Sequence, residues 1–210
     1  MQGADHLDTL GTRHHLLYWR AKAGDPAGAA AGVEQLLTDY LRIQGPDHAD
    51  TLGARRSLAY WRGQAGNPKG AAVAFKQLLT DYLRILGPDH LDTLGTRNDL
   101  AYWLGKAGDP VGAAATVEQL VTERVRVHGP DHPDTLRTRA ELALWRGRAG
   151  DYAGAVVALE QLLIDHVRVL GPDHPETLRT RAELALWADN TADAVVAIEQ
   201  RPNAAPQLHG

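Results

Sequence analysis

The sequence repeats with a period of 42 residues, and this period constrains the fold more than any other feature. The tetrapeptide Gly-Pro-Asp-His begins at residues 45, 87, 129 and 171, and the variant Gly-Ala-Asp-His begins at residue 3. Repeats of roughly 20 to 50 residues are typical of proteins in which each unit buries its apolar face against its neighbours. All the tryptophans occupy one position of the period, which predicts that they pack between helices: Trp19, Trp61, Trp103, Trp145 and Trp187.

Each repeat has the pattern of two amphipathic helices. The second repeat has apolar residues and one arginine at three- and four-residue steps, which is the spacing of one helix face: Leu52, Arg55, Leu58, Ala59, Trp61 and Ala65. A second helical pattern runs over residues 72–86. We call these the first and the second helix of a repeat.

The residues between the two patterns are typical of helix ends. Gly66 suits the left-handed residue after a helix, Asn67 suits a cap, and Pro68 suits the first helical position. Before the next repeat, Asp89 and Asp92 have the spacing of a capping box for its first helix.

The sequence therefore predicts an all-α fold, an α-solenoid or superhelix of five stacked helix-turn-helix repeats over residues 3–200. The last repeat is expected to have a shortened second helix at about residues 191–200, followed by a polar, flexible tail at 201–210. No second helix precedes the first repeat, so we expect an open flank there, as in an excised or associating chain. The predicted repeat boundaries are 3–44, 45–86, 87–128, 129–170 and 171–200.

Composition and motifs exclude several function classes. With 22 basic and 26 acidic residues the net charge is -4, and no basic run marks a nucleic-acid partner. No stretch approaches the roughly 18 apolar residues of a membrane span, and the first residues lack a targeting pattern, so a cytoplasmic protein is expected. No catalytic or phosphate-binding motif occurs, which predicts a protein that is not an enzyme and needs no cofactor.

Two recurring side chains are interpreted as structural. The turn histidines lie too far apart for one metal ion, so no metal site is expected: His6, His48, His90, His132 and His174. A recurring arginine of the first helix is expected to pair with a recurring acid of the second helix. These residues are Arg13, Arg55, Arg97, Arg139 and Arg181, with Asp39, Asp81, Glu123 and Asp165.

The octapeptide Gly-Pro-Asp-His-Pro-Asp-Thr-Leu at residues 129–136, with Ala59 and Ala101 at the close contacts between helices, resembles the 42-residue tetratricopeptide repeat of kinesin-light-chain type. The resemblance implies a scaffold whose concave face, lined by the first helices, holds a peptide or a partner's helix. Bacterial examples are often segments of larger NTPase regulators. The asparagine pair that holds a peptide backbone in that family is replaced here, for example by Asn98 and Asp99.

The candidate binding face lies opposite the core stripe of the first helices. In the second repeat it carries Gly53, Arg56, Ser57, Tyr60 and Gln64, and in the first repeat it includes both histidines of a His-His pair at 14–15. A row of tyrosines flanked by cations suits an extended peptide, although these tyrosines can instead pack over the groove wall. Leucine replaces tyrosine in the last two repeats, so the predicted groove has two halves. The candidate residues are His15, Tyr18, Lys22, Arg56, Ser57, Tyr60, Gln64, Asn98, Asp99, Tyr102, Lys106, Glu141, Leu144 and Arg148.

These patterns predict a non-catalytic interaction scaffold that binds a peptide or helix of a partner protein on the face formed by the first helices. The sequence does not identify that partner. The alternative is self-association through the open end, as a homo-oligomer, or a spacer or regulatory segment of a larger protein.

Overall fold

A computed structural model describes residues 7–199, with the side chains of residues 7–189. Within this part of the chain every regular element is an α-helix, and none of these helices combines the length and the hydrophobicity of a membrane-spanning segment. The helices are α1 Leu7–Lys22, α2 Pro26–Gln44, α3 Ala49–Gln64, α4 Pro68–Leu86, α5 Leu91–Lys106, α6 Pro110–His128, α7 Pro133–Arg148, α8 Tyr152–Leu170 and α9 Pro175–Glu199.

The turns inside the repeats have the predicted structure. Gly66 has a φ of +100°, a conformation that residues with a side chain rarely adopt. The Asn67 side chain accepts a hydrogen bond of 2.9 Å from the N–H of Gly70, and Pro68 begins α4. The same cap recurs at α2, α6 and α8, where the capping residue is an aspartate.

The turns between repeats are capped by histidine, so the predicted capping box from Asp89 to Asp92 is wrong. His90 Nδ1 accepts a hydrogen bond of 3.2 Å from the N–H of Asp92, because His90 lies one residue nearer to the first amides of α5. Asp89 instead pairs with Arg126 of α6. The predicted structural role of the turn histidines is confirmed for His48, His90, His132 and His174, whereas His6 lies outside the described residues.

The contacts divide the chain into two units, residues 1–135 and 136–210. In the first unit each helix from α1 to α6 packs against the next one in sequence, around fully buried side chains that include Leu36, Phe75 and Leu120. In the second unit α8 packs against α9, and the buried cluster contains Leu136, Leu159 and Leu162.

The predicted ion pairs between the first and second helices form in four repeats. The Arg97–Glu123 pair is the most enclosed, with side chains 9% and 16% exposed. The exposed fraction of the arginine side chain falls from 44% at Arg13 to 28% at Arg55 and to 9% at Arg97. The nitrogen–oxygen distances are 3.4 Å for Arg13–Asp39, 2.7 Å for Arg55–Asp81, 2.9 Å for Arg97–Glu123 and 2.7 Å for Arg139–Asp165.

The last repeat departs from the prediction of two helices. The α9 helix continues without a break from Pro175 to Glu199, through the point where a second helix was expected to begin. In the fourth repeat Gly150, with a φ of +89°, ends one helix and Asp151 caps the next. The last repeat is three residues shorter here and contains no glycine between Trp187 and residue 199. The last repeat therefore lacks the left-handed glycine that ends the first helix in the preceding repeat.

Candidate functional site

A groove follows the exposed face of α1, α3 and α5 in the first unit, and we call it the tyrosine groove. It encloses about 550 Å³ and is open to solvent. The three helices supply its lining because residues three or four positions apart share one helix face. The lining residues are His14, Tyr18, Lys22, Gly53, Arg56, Ser57, Tyr60, Trp61 and Asp99.

The tyrosines of the groove interlock with tryptophans. The Tyr18 ring meets the edge of Trp61 at a centroid distance of 5.9 Å, and the Tyr60 ring meets Trp103 at 5.7 Å. Each tyrosine also lies edge-to-face against the tryptophan that follows it in the chain. The expected row of stacked tyrosines is therefore a chain of alternating tyrosine and tryptophan rings. This arrangement fixes the tyrosines by packing and leaves Tyr18 and Tyr102 exposed on one side.

Two polar contacts connect the helices across the groove. His14 Nε2 of α1 lies 2.9 Å from the hydroxyl oxygen of Ser57 in α3. Arg56 Nε of α3 donates a hydrogen bond of 2.7 Å to the Asp99 carboxylate in α5. Both contacts join residues 43 positions apart, so they tie adjacent repeats together.

Burial shifts the pKa of two of these groups. Burial raises the pKa of Asp99, and the ion pair with Arg56 opposes that increase. Burial also lowers the pKa of His14, as does the neighbouring His15, while Asp50 opposes the decrease. Neutral His14 keeps both a donor and an acceptor nitrogen for its contact with Ser57.

Two lysines lie over aromatic rings of this face, one in the groove lining and one beyond it. The Lys22 ammonium lies 5.5 Å from the centre of the Tyr18 ring, and the Lys106 ammonium lies 5.6 Å from that of Tyr102. Between them, Gln64 donates a hydrogen bond of 3.2 Å to the Tyr60 hydroxyl. The groove therefore offers aromatic surface with positive charge beside it.

Gly53 leaves room in the floor of the groove. A β-carbon built at this position would have no neighbouring atom within 4 Å, apart from its own helix. Gly95, one repeat later, would place its β-carbon 3.4 Å from the Arg56 guanidinium. The glycine at Gly53 therefore keeps a space open without being required by packing.

The structure brings together part of the predicted set. Gln64, Tyr102 and Lys106 continue the face beyond the lining, whereas Asn98 is half-buried outside it. His15 is exposed and does not line the groove; His14, its neighbour on the predicted face, does. The predicted residues that line the groove are Tyr18, Lys22, Arg56, Ser57, Tyr60 and Asp99.

Trp61 was predicted as a core residue, and its part in the lining was missed. The ring is 7% exposed, yet it borders the groove because Tyr18 packs against it. The recurrence of Tyr-Trp pairs at 18–19, 60–61 and 102–103 was the available signal. Adjacent helical residues point about 100° apart, so one ring of each pair faces the groove and the other borders it.

The predicted second half of the groove belongs to the second unit. There Glu141 and Leu144 are half-buried, and the Arg148 guanidinium lies 4.9 Å from the centre of the Trp145 ring. Leu186, at the tyrosine position of the last repeat, is 59% exposed. Across the described residues, no group of three or more histidine and acidic side chains is arranged to hold a metal ion.

Comparison with protein families identifies three repeats. The profile of a tetratricopeptide repeat matches residues 51–92, 93–134 and 135–176. Among curated proteins, none matches this sequence.

Solved structures match over nearly the whole chain. The kinesin-light-chain TPR-like repeats of Podosopora anserina align with a TM-score of 0.81 at 22% identity, covering 96% of this chain and all of theirs. A variant of the same repeats with a single substitution aligns with a TM-score of 0.81 at 23% identity, over 95% of this chain and 93% of that one. BtubC (BKLC) of P. vanneervenii aligns with a TM-score of 0.70 at 17% identity, over 97% and 85% of the two chains. These likenesses confirm the predicted all-α solenoid class.

Proposed function

Because the chain belongs to the tetratricopeptide repeat family, whose fold generally serves protein–protein interaction, we propose that it is a non-catalytic scaffold whose tyrosine groove binds a peptide or helix of a partner protein. The observation that carries the proposal is the groove itself, about 550 Å³ of open space bordered by the aromatic rings of Tyr18, Tyr60 and Trp61, of which Tyr18 is 43% exposed. Aromatic side chains held rigidly by packing are typical anchors of protein interfaces.

The charges of the groove favour a peptide that carries carboxylates. Lys22 and Arg56 are the cations of the groove lining. The acid of the lining, Asp99, already forms an ion pair with Arg56. A peptide carboxylate can therefore approach Lys22 without displacing an existing ion pair. The tyrosine rings would bury the apolar side chains of the same peptide.

The experiment is a selection of short random peptides on the native chain, followed by titration of a resynthesised peptide against Gly53→Leu. This substitution places a side chain in the open floor of the groove and leaves the aromatic packing intact. We expect affinity to fall by about tenfold or more, which corresponds to about 1.4 kcal/mol. Gly11→Leu is the matched control, because Gly11 has the same open surroundings but does not line the groove.

Replacing Tyr18 or Tyr60 by alanine would be a poorer test, since both rings also support tryptophans. Selected peptides that bind native chain and Gly53→Leu equally well would rule out the tyrosine groove as their site. An equal loss of affinity in Gly11→Leu and Gly53→Leu would also rule out the tyrosine groove as the binding site.

A second candidate function rests on the outer face of α1. Leu16 is 69% and Trp19 66% exposed, whereas Leu58 and Trp61 at the same positions of the next repeat are 8% and 7% exposed. This apolar surface favours self-association or docking on another segment of a larger protein. A molecular mass that rises with concentration, and no longer does so in Leu16→Glu, would support it. The cytoplasmic location expected from the sequence remains a prediction.

A further inference from the structure

A second cavity in the first unit lies between α4 and α6, over α5. It encloses about 420 Å³, and its lining includes Val73 and Lys76 of α4, Leu100 and Leu104 of α5, and Thr116 of α6. Leu104 follows Tyr102 by two positions, so it points about 200° away from that tyrosine around the helix. The cavity is therefore on the side of α5 away from the tyrosine groove, and we call it the outer cavity.

The outer cavity occurs where the repeat departs from its own template. In α2 and α3, Glu34 and Arg62 form an ion pair of 2.6 Å. One period of 42 residues later, the same two positions hold Lys76 and Leu104. The substitutions remove the ion pair and put a half-buried leucine where the arginine stood.

The substitutions also leave a cation without a partner. Within the part of the chain that the structure describes, no acid lies within ion-pair distance of the Lys76 ammonium. Asp109 borders the cavity, but its carboxylate accepts a hydrogen bond of 2.8 Å from the N–H of Gly112 and caps α6. Val73, beside Lys76, is 59% exposed. Apolar surface and an unpaired positive charge therefore lie next to each other.

We propose that the outer cavity is a second docking site, for a segment of a partner protein that presents an aliphatic side chain with a carboxylate close to it. The aliphatic group fills the space lined by Val73, Leu100 and Leu104. The carboxylate pairs with Lys76, restoring between two proteins the charge pairing that Glu34 and Arg62 make within one. Charge complementarity selects this occupant over a basic or purely apolar segment.

The test compares the native chain with the double variant Lys76→Glu/Leu104→Arg, which recreates the template ion pair and fills the cavity. Both substituted residues already occupy these positions in the preceding repeat, so the variant is expected to fold, and thermal unfolding checks this. Peptides are selected from a displayed random library on each protein, and an enriched peptide is synthesised and titrated.

Peptides with an aliphatic residue and a nearby Asp or Glu should be enriched on the native chain. Their affinity should fall by about tenfold or more in the double variant and in Lys76→Glu, and stay unchanged in Lys76→Arg. Gly53→Leu should leave it unchanged as well, which separates this site from the tyrosine groove. Enrichment of peptides without acids, equal affinity for the double variant, or no enrichment would overturn the proposal. Self-association of the native chain that is lost in the double variant would identify a second copy as the occupant instead.

Discussion

The indole ring of Trp103 covers Gly63 of α3 so closely that a β-carbon on Gly63 would overlap the ring. The same relation recurs in the second unit, where a β-carbon on Gly147 would lie 2.8 Å from the ring of Trp187. In both pairs the glycine precedes its tryptophan by 40 residues. In these two copies glycine therefore serves as the seat for the tryptophan of the next repeat, whereas the first repeat has Ala21 at this position, in the same buried cluster as Trp61.

Gly63→Ala should destabilise the protein although alanine favours helix. The overlap with Trp103 forces the ring or the helix to move, which we expect to lower the free energy of unfolding by about 1 to 3 kcal/mol. Gly53→Ala in the same helix meets open space, so it should raise that free energy by about 0.5 to 1 kcal/mol. Urea unfolding of both variants measures the difference, and effects of the same sign would contradict the proposed seat.

Arg97→Ala should be strongly destabilising, because it leaves the enclosed Glu123 carboxylate without its partner. Breaking an enclosed ion pair from one side lowers the free energy of unfolding by about 3 to 5 kcal/mol. Arg13→Ala removes the same template contact where the arginine is 44% exposed, and there we expect about 1 kcal/mol or less. Differential scanning calorimetry of the two variants checks the ranking.

The double variant Arg97→Ala/Glu123→Ala should be more stable than Arg97→Ala alone. Burial raises the pKa of Glu123 even though Arg97 opposes the increase, so the unpaired carboxylate is the costly group. A double variant at least as unstable as the single one would show that lost packing, and not the uncompensated acid, causes the destabilisation.

Lowering the pH should destabilise the folded second unit through protonation of His166. This side chain is 3% exposed, and its Nδ1 lies 3.0 Å from the Thr180 hydroxyl of α9. Burial lowers its pKa below the ordinary 6.5; Arg139 and His174 act in the same direction, and Glu176 and Asp165 oppose them. As the pH falls the unfolded chain therefore takes up the proton first. The stabilisation is present above about pH 6.5 and is lost as the pH falls through the folded-state pKa.

Replacing the buried histidine tests this assignment. His166→Tyr introduces the residue found at the same position of the first two repeats, Tyr40 and Tyr82. We expect the melting temperature of this variant to change less than that of the native chain between pH 8 and pH 5. His14, whose pKa is also lowered by burial, is expected to preserve part of the slope. Equal slopes in the two proteins would exclude His166 as a source of acid sensitivity.

Trp19 should account for most of the fluorescence that iodide can quench. It is 66% exposed, whereas Trp61, Trp103 and Trp145 are 7%, 3% and 7% exposed and Trp187 is half-buried. Trp19→Phe is expected to remove the red-shifted, quenchable component of the emission. Trp61→Phe should leave that component in place, and a Trp19→Phe spectrum with unchanged quenching would contradict the exposure of α1.

The fold was predictable because each structural requirement left a residue at a fixed place in the first four copies of the repeat. Gly66 and Asn67 mark the turn within a repeat, and Arg55 and Asp81 mark the contact between its helices. The continuous α9 was not predicted, because the last repeat lacks the turn residues that separate the two helices in the other repeats. A three-residue deletion removes the glycine that ends the first helix elsewhere.

The candidate groove was only partly predictable. Helical spacing placed Tyr18, Arg56 and Tyr60 on one face, since that follows from 3.6 residues per turn. The pairing of Arg56 with Asp99, and the contact of Tyr18 with Trp61, join different repeats. Contacts of that kind depend on how neighbouring helices pack, which the pattern of one helix does not determine.

The arginine–acid ion pair becomes progressively less exposed to solvent from α1 to α5. The exposed fraction of the arginine side chain falls from 44% at Arg13 to 28% at Arg55 and 9% at Arg97. One duplicated residue thus contributes a different local free energy in each copy. Amide hydrogens of α1 should exchange with solvent through fraying, and those of α5 through larger cooperative openings. The duplicated repeats share the same residues, but the helices packed around each copy determine how much a given residue stabilises the fold.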